Sequence, residues 1–102
     1  MAIFINAPVV TREKSSIENF YGRVTPELYL DGCCLFVKVF FYVSKEAYSL
    51  GGSPILESYK KMFSYDRAVD GPDILTVAHN KVIEEWTIDQ VYNAEDLSIV
   101  DL

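Results

Sequence analysis

Histidine occurs once in this sequence, at His79, and cysteine twice, as the adjacent pair Cys33 and Cys34. A tetrahedral zinc site needs four ligands at wider spacing, so no metal and no other cofactor is expected. Adjacent cysteines on an extended segment point to opposite faces and rarely bridge, which leaves two buried, reduced thiols as the expectation. The apolar run around them raises a thiol pKa rather than lowering it, which argues against a Cys–His nucleophile. Glycine is sparse, and "LGGS" lacks the Lys and Ser/Thr that complete a phosphate loop. Nine basic residues stand against fifteen acids, a formal charge of −6. That balance gives no general attraction to nucleic-acid phosphates or anionic lipid, so neither partner is expected. No apolar stretch reaches the roughly 20 residues of a membrane-spanning helix. The start, "MAIFINAPVV", lacks a basic region and does not read as a secretion signal, which points to a cytoplasm.

What the sequence does have is hydrophobicity. Half of its 102 residues are apolar, with seven tyrosines, six phenylalanines and one tryptophan. Disorder needs the opposite composition, and the length suits one domain over residues 1–102. Pro8 cannot donate to a ladder, so Ala2–Val10 reads as an edge strand or part of an extended arm over residues 1–16. Thr11–Ser16 is polar and reads as a loop. Phe20–Leu30 alternates as a half-buried strand, and Pro26 argues for a bulge or an edge position in it. Asp31-Gly32 then predicts a hairpin turn into Cys33–Val43. Ser44–Ser53 reads as a loop. Pro54–Tyr65 reads as a third strand, whose paired lysines suit an edge protected from aggregation.

The stretch after these strands carries helix punctuation. Asp70 or Gly71 can cap it, Pro72 suits the first turn, and Ile74, Leu75, Ala78, Val82 and Trp86 recur at helical spacing as the buried face. His79 falls one step off that stripe and is expected at the surface or its boundary. Residues 88–102 form an acidic tail, in which "LSIVDL" could add a short strand or dock on a partner. The fold class expected is α+β: an antiparallel sheet of three or four strands with one main C-terminal helix packed on one face.

The run "CCLFVKVFFYV" is the least ordinary feature. Its odd positions, Cys33, Leu35, Val37, Val39, Phe41 and Val43, suit a core face. Its even positions, Cys34, Phe36, Lys38, Phe40 and Tyr42, make an aromatic face around one lysine, where a wet sheet face would be polar. Either another part of the chain or another protein covers it. The interface candidates are Phe4 of the first segment, Phe36, Phe40 and Tyr42 of the even face, and Tyr59 of the third strand. No catalytic constellation accompanies them, and an enzyme is not expected.

Several stretches in order carry a resemblance. They are "I-x-x-P-V-V-T" near the start, "ENFYGRV", "VFFYVSKEAY", "SPI", "YKKMFSY", "GPDILTVAHNKVIEEW" and "NAEDL". From about Ile3 to Leu97 the chain resembles a loose group of small proteins encoded among the virion structural genes of tailed bacteriophages. The resemblance implies a structural or assembly subunit of the head, neck, tail or baseplate. It further implies a virion location after synthesis in the host cytoplasm. The partners it implies are other virion proteins or copies of the chain in a homo-oligomer. The alternative is a small acidic adaptor or inhibitor that occludes a basic channel of a host protein.

Overall fold

Buried and half-buried residues alternate along Cys34–Tyr42 without a break, the period of a strand packed on one side. In the computed structural model, which describes residues 1–11, 14–29 and 32–100, that strand lies inside a sheet. The elements in order are β1 (Ala2–Ile5), β2 (Val9–Val10), β3 (Ser16–Ile17), β4 (Phe20–Tyr29) and β5 (Cys34–Tyr42). They continue with α1 (Lys45–Ser49), β6 (Tyr59–Ser64), α2 (Arg67–Asp70), α3 (Ile74–Ile88), a 3₁₀ turn at Ala94–Asp96 and β7 (Leu97–Val100). Five strands make one antiparallel sheet in the order β6-β5-β4-β1-β7, while β2 and β3 form a separate two-stranded ribbon.

The class is α+β with α3 as the main helix, and the sheet has five strands where three or four were expected. Besides β4, β5 and β6, the sheet takes its strands from the two ends of the chain. Ala2–Ile5 is neither an edge nor an arm. It lies between β4 and β7, and Ala2, Ile3 and Ile5 are fully buried. Pro8 falls beyond the strand's last residue, so its missing N–H costs the ladder nothing. The tail supplies β7, whose Leu97 pairs with Ile5. Pro26 does occupy an edge position. Along β4, strand β1 reaches only Phe20–Gly22, which leaves the part of β4 carrying Pro26 unpaired on that side. Tyr29 stands opposite Cys34, so β4 and β5 form the expected antiparallel pair. The predicted turn cannot be described, because Asp31 and its neighbour Leu30 lie outside the described residues.

Helix α3 covers one side of this sheet. Val77, Ala78, Val82 and Trp86 enter the core, whereas Leu75, expected there, is 37% exposed. The Trp86 ring stacks on Phe41 at 6.0 Å and meets Tyr59 and Tyr92 edge-on at 5.3 Å each. Gly22 makes room for this cluster: a Cβ there would lie 2.8 Å from Cγ1 of Val39. Asp73, rather than Asp70 or Gly71, caps α3 by accepting from the Leu75 and Thr76 amides. At the other end Gln90 N–H donates to Thr87 and Val91 N–H to Trp86, the paired bonds of a Schellman motif. Gln90 sits at φ 57°, where glycine is usual.

Two expectations about chemistry-bearing residues need correction. His79 is fully buried, on the side of α3 that meets the sheet. Cys33 is exposed and Cys34 half-buried, both as free thiols, because they sit where the hairpin leaves the core. The segment 44–53 contains α1, started by Ser44, whose hydroxyl accepts from the Ala47 amide at 3.0 Å. The third strand begins at Tyr59, five residues later than the pattern suggested.

Candidate protein-binding face

The pairing of β4, β5 and β6 decides which side chains share the outer face, the side of the sheet away from α3. In antiparallel strands, directly paired residues point the same way. Tyr42 therefore stands beside Tyr21, Phe40 beside Arg23, Lys38 between Thr25 and Lys60, and Phe36 between Glu27 and Met62. Phe4, paired with Tyr21, extends the row onto β1. Four of the five interface candidates, Phe4, Phe36, Phe40 and Tyr42, are thus brought onto one surface. The fifth, Tyr59, is not. It pairs with Val39, points to the α3 side, and packs against Trp86. A strand pattern read alone gives two faces but not their sense relative to a neighbour, which the register supplies.

The outer face is made of aromatic contacts edged by cations. Phe4 and Tyr21 meet at 5.2 Å, Tyr29 and Phe36 at 5.8 Å, and Tyr42 and Tyr48 at 5.2 Å between ring centroids. Tyr48 comes from α1, which lies over one end of the face. The Arg23 guanidinium rests 5.0 Å above the Tyr48 ring and donates to the Met1 carbonyl at 3.2 Å. Lys38 lies 5.5 Å from the centre of the Phe36 ring. Tyr29 and Met62 are 42% and 47% exposed, whereas Phe4, Phe36, Phe40 and Tyr42 are half-buried. Such a face removes little water from aromatic area on its own and much when covered.

The candidates named from the sequence leave out Tyr21, Arg23, Tyr48, Lys60 and Met62. Part of that set was signalled. Tyr21 and Arg23 occupy the polar parity of β4, and the predicted hairpin places that parity beside the even face of β5. Tyr48, Lys60 and Met62 carried no such signal, because α1 fell in an expected loop and the register of β6 is a long-range property.

Electrostatics on this face is local. The Tyr29 hydroxyl donates to Glu27 at 2.9 Å, and that bond to a carboxylate holds the phenol above its ordinary pKa. On the α3 side, His79 places Nδ1 2.6 Å from the Leu75 carbonyl, so Nδ1 carries the proton and Nε2 the lone pair. Nε2 is buried without a partner. Burial pushes this imidazole below its ordinary pKa, against the pull of the Leu75 and Met1 carbonyls.

Grooves among the described residues lie elsewhere. One, of about 280 Å³, flanks the start of α3 between Asp70, Asp73 and Glu84. Its aspartates are already engaged: Asp73 caps α3, while Asp70 accepts from the Asp66 amide and lies 3.5 Å from Lys81. The Thr76 hydroxyl, which donates to Asp73 at 2.8 Å, with the Thr76 amide, and the Asp66 amide at Asp70, hold the two carboxyls below their ordinary pKa. Another, of about 380 Å³, lies between Ile17, Val43 and Ile55, and among the described residues no titratable side chain lines it. Among the described residues no three His, Cys, Asp or Glu side chains gather closely enough to share a metal ion. None of their helices is long and apolar enough to cross a membrane. No family model, no curated protein and no solved structure matches this chain.

Proposed function

We propose that this chain works by binding protein through the outer face of its sheet, as a structural or assembly subunit of a bacteriophage particle. The observation that carries the binding reading is the aromatic row Phe4, Tyr21, Phe40, Tyr42 and Phe36, gathered on the side of the sheet away from α3. The particle reading rests on the order of sequence stretches resembling virion proteins, and it makes other virion proteins or further copies the partners.

A photo-reactive phenylalanine analogue in place of Phe36 tests the binding reading, with a control analogue at Val69, an exposed residue of α2. Irradiation in the producing cell should join position 36, and not position 69, to protein. Equal labelling at both positions, or adducts to nucleic acid alone, would overturn it. Particles purified from the source lysate should contain the chain at a fixed ratio to their other proteins. Its absence from them would end the particle reading.

A further inference from the structure

Lys38 and Lys60 stand directly opposite each other on neighbouring strands, both on the outer face. Like charges at paired sheet positions are destabilising. Among the described residues the ion pairs are Lys61–Glu85 and Lys81–Asp70, and neither involves these two lysines. The outer-face strand positions carry Arg23, Lys38 and Lys60 against Glu27 alone. The other fourteen of the fifteen acids, and six of the nine cations, lie elsewhere in the chain. The face is therefore locally cationic in an acidic protein.

The opposite situation holds at the end of α3. The carbonyl end of a helix is its negative pole, and cations there are stabilising. This helix has no basic residue in its last turn and ends on Asp89. Exposed apolar residues flank that carboxylate: Ile88 is 66% and Val91 54% exposed. The Schellman turn holds this acidic, apolar projection in place, on the side of the sheet that the aromatic face turns away from.

Resting on the protein-binding reading, we infer that a second copy of this chain occupies the outer face, seating its Ile88–Asp89–Val91 projection against Lys38, Lys60 and the aromatic row. Charge decides between the possible pairings. A two-fold contact of face on face sets the lysine pair of one copy against that of the next. A head-to-tail contact sets lysines against a carboxylate and a helix carbonyl end. The net charge of −6 on each copy opposes association at long range, but at physiological salt the Debye length is about 8 Å. Screening then weakens the overall repulsion far more than a contact pair a few ångströms apart. Such a heterologous contact closes into a ring or runs on as a filament.

Sedimentation velocity across a concentration series at about 0.15 M salt tests the inference. The wild-type mass should rise with concentration. Lys60→Glu and Asp89→Lys each alter an exposed side chain, and the second suits the helix end, so both should fold; circular dichroism checks this. Each alone should weaken association by about tenfold or more. An equal mixture should regain it, because the Lys60→Glu copy keeps an intact projection and the Asp89→Lys copy an intact face. Folded variants that associate like wild type, or a mixture that stays monomeric, would overturn the head-to-tail contact. A wild type that is monomeric throughout would overturn self-binding. Cross-linking of position 36 to a different protein would in that case still support the broader binding reading.

Discussion

His79 should make the stability of this protein fall as pH drops below neutral, and replacing it with leucine should remove that fall. The ring is fully buried and its Nε2 has no partner. Unfolded, an imidazole titrates near pH ~6.5. Folded, burial depresses its pKa, and the charges of the Met1 amino group and the Arg23 guanidinium act in the same direction. The unfolded chain therefore binds a proton the folded chain refuses. Stability is complete above pH ~6.5 and is lost as pH falls toward the folded pKa, at up to about 1.4 kcal/mol per pH unit for one proton. This is the only histidine, so no second imidazole titrates in the same window. Asp70 and Asp73, also depressed, act with the same sign but lower, below pH ~4. His79→Leu removes an orphaned buried nitrogen, whose desolvation costs about 1–3 kcal/mol, and one hydrogen bond worth about 0.5–1.5 kcal/mol. The Leu75 carbonyl keeps the α-helical bond available at that position. A gain of about 1 kcal/mol at neutral pH follows, with a larger gain under acid. Urea unfolding at pH values of about 7.5, 6.5 and 5.5, followed by the fluorescence of Trp86, measures both. Wild-type stability that stays flat across that range, or a variant with the same slope, would refute the reasoning.

Two further substitutions probe the backbone. Gly22→Ala should lower stability by about 1–3 kcal/mol in the same urea assay, because its methyl meets Val39 at 2.8 Å in a packed core. No loss would mean that the Phe41 and Val39 side chains give way freely. Gln90→Gly should raise stability by about 1 kcal/mol, since φ 57° strains glutamine and suits glycine at the end of α3. A loss there would mean that the glutamine side chain makes a stabilising contact.

Much of the fold was legible because it depends on local chemistry. Alternation in Phe20–Tyr29 and Cys34–Tyr42, and helical spacing from Ile74 to Trp86, follow from side-chain periodicity. The β4–β5 pairing followed from the same short range. The lysines of β6 marked a true edge. Short apolar segments were harder. Two four-residue segments near the ends of the chain, Ala2–Ile5 and Leu97–Val100, hold too few positions for a pattern, and only pairing with each other, and of Ala2–Ile5 with β4, makes them strands. His79 was misplaced for a related reason. Its own helix puts it one step off the stripe, but the sheet beneath α3 is wide enough to bury that step too.

The sequence by itself determined the class, the long hairpin, the main helix and the existence of an aromatic face on β5. Those follow from intrinsic periodicity and turn chemistry, which act within a few residues. Tertiary structure alone decided what stands beside that face. The register of β6 set Lys60 against Lys38 and turned Tyr59 toward Trp86, and the insertion of β1 between β4 and β7 added Phe4 to the row. Register is chosen by how whole strands bury their apolar sides against α3, a property of the packed molecule that no single segment contains.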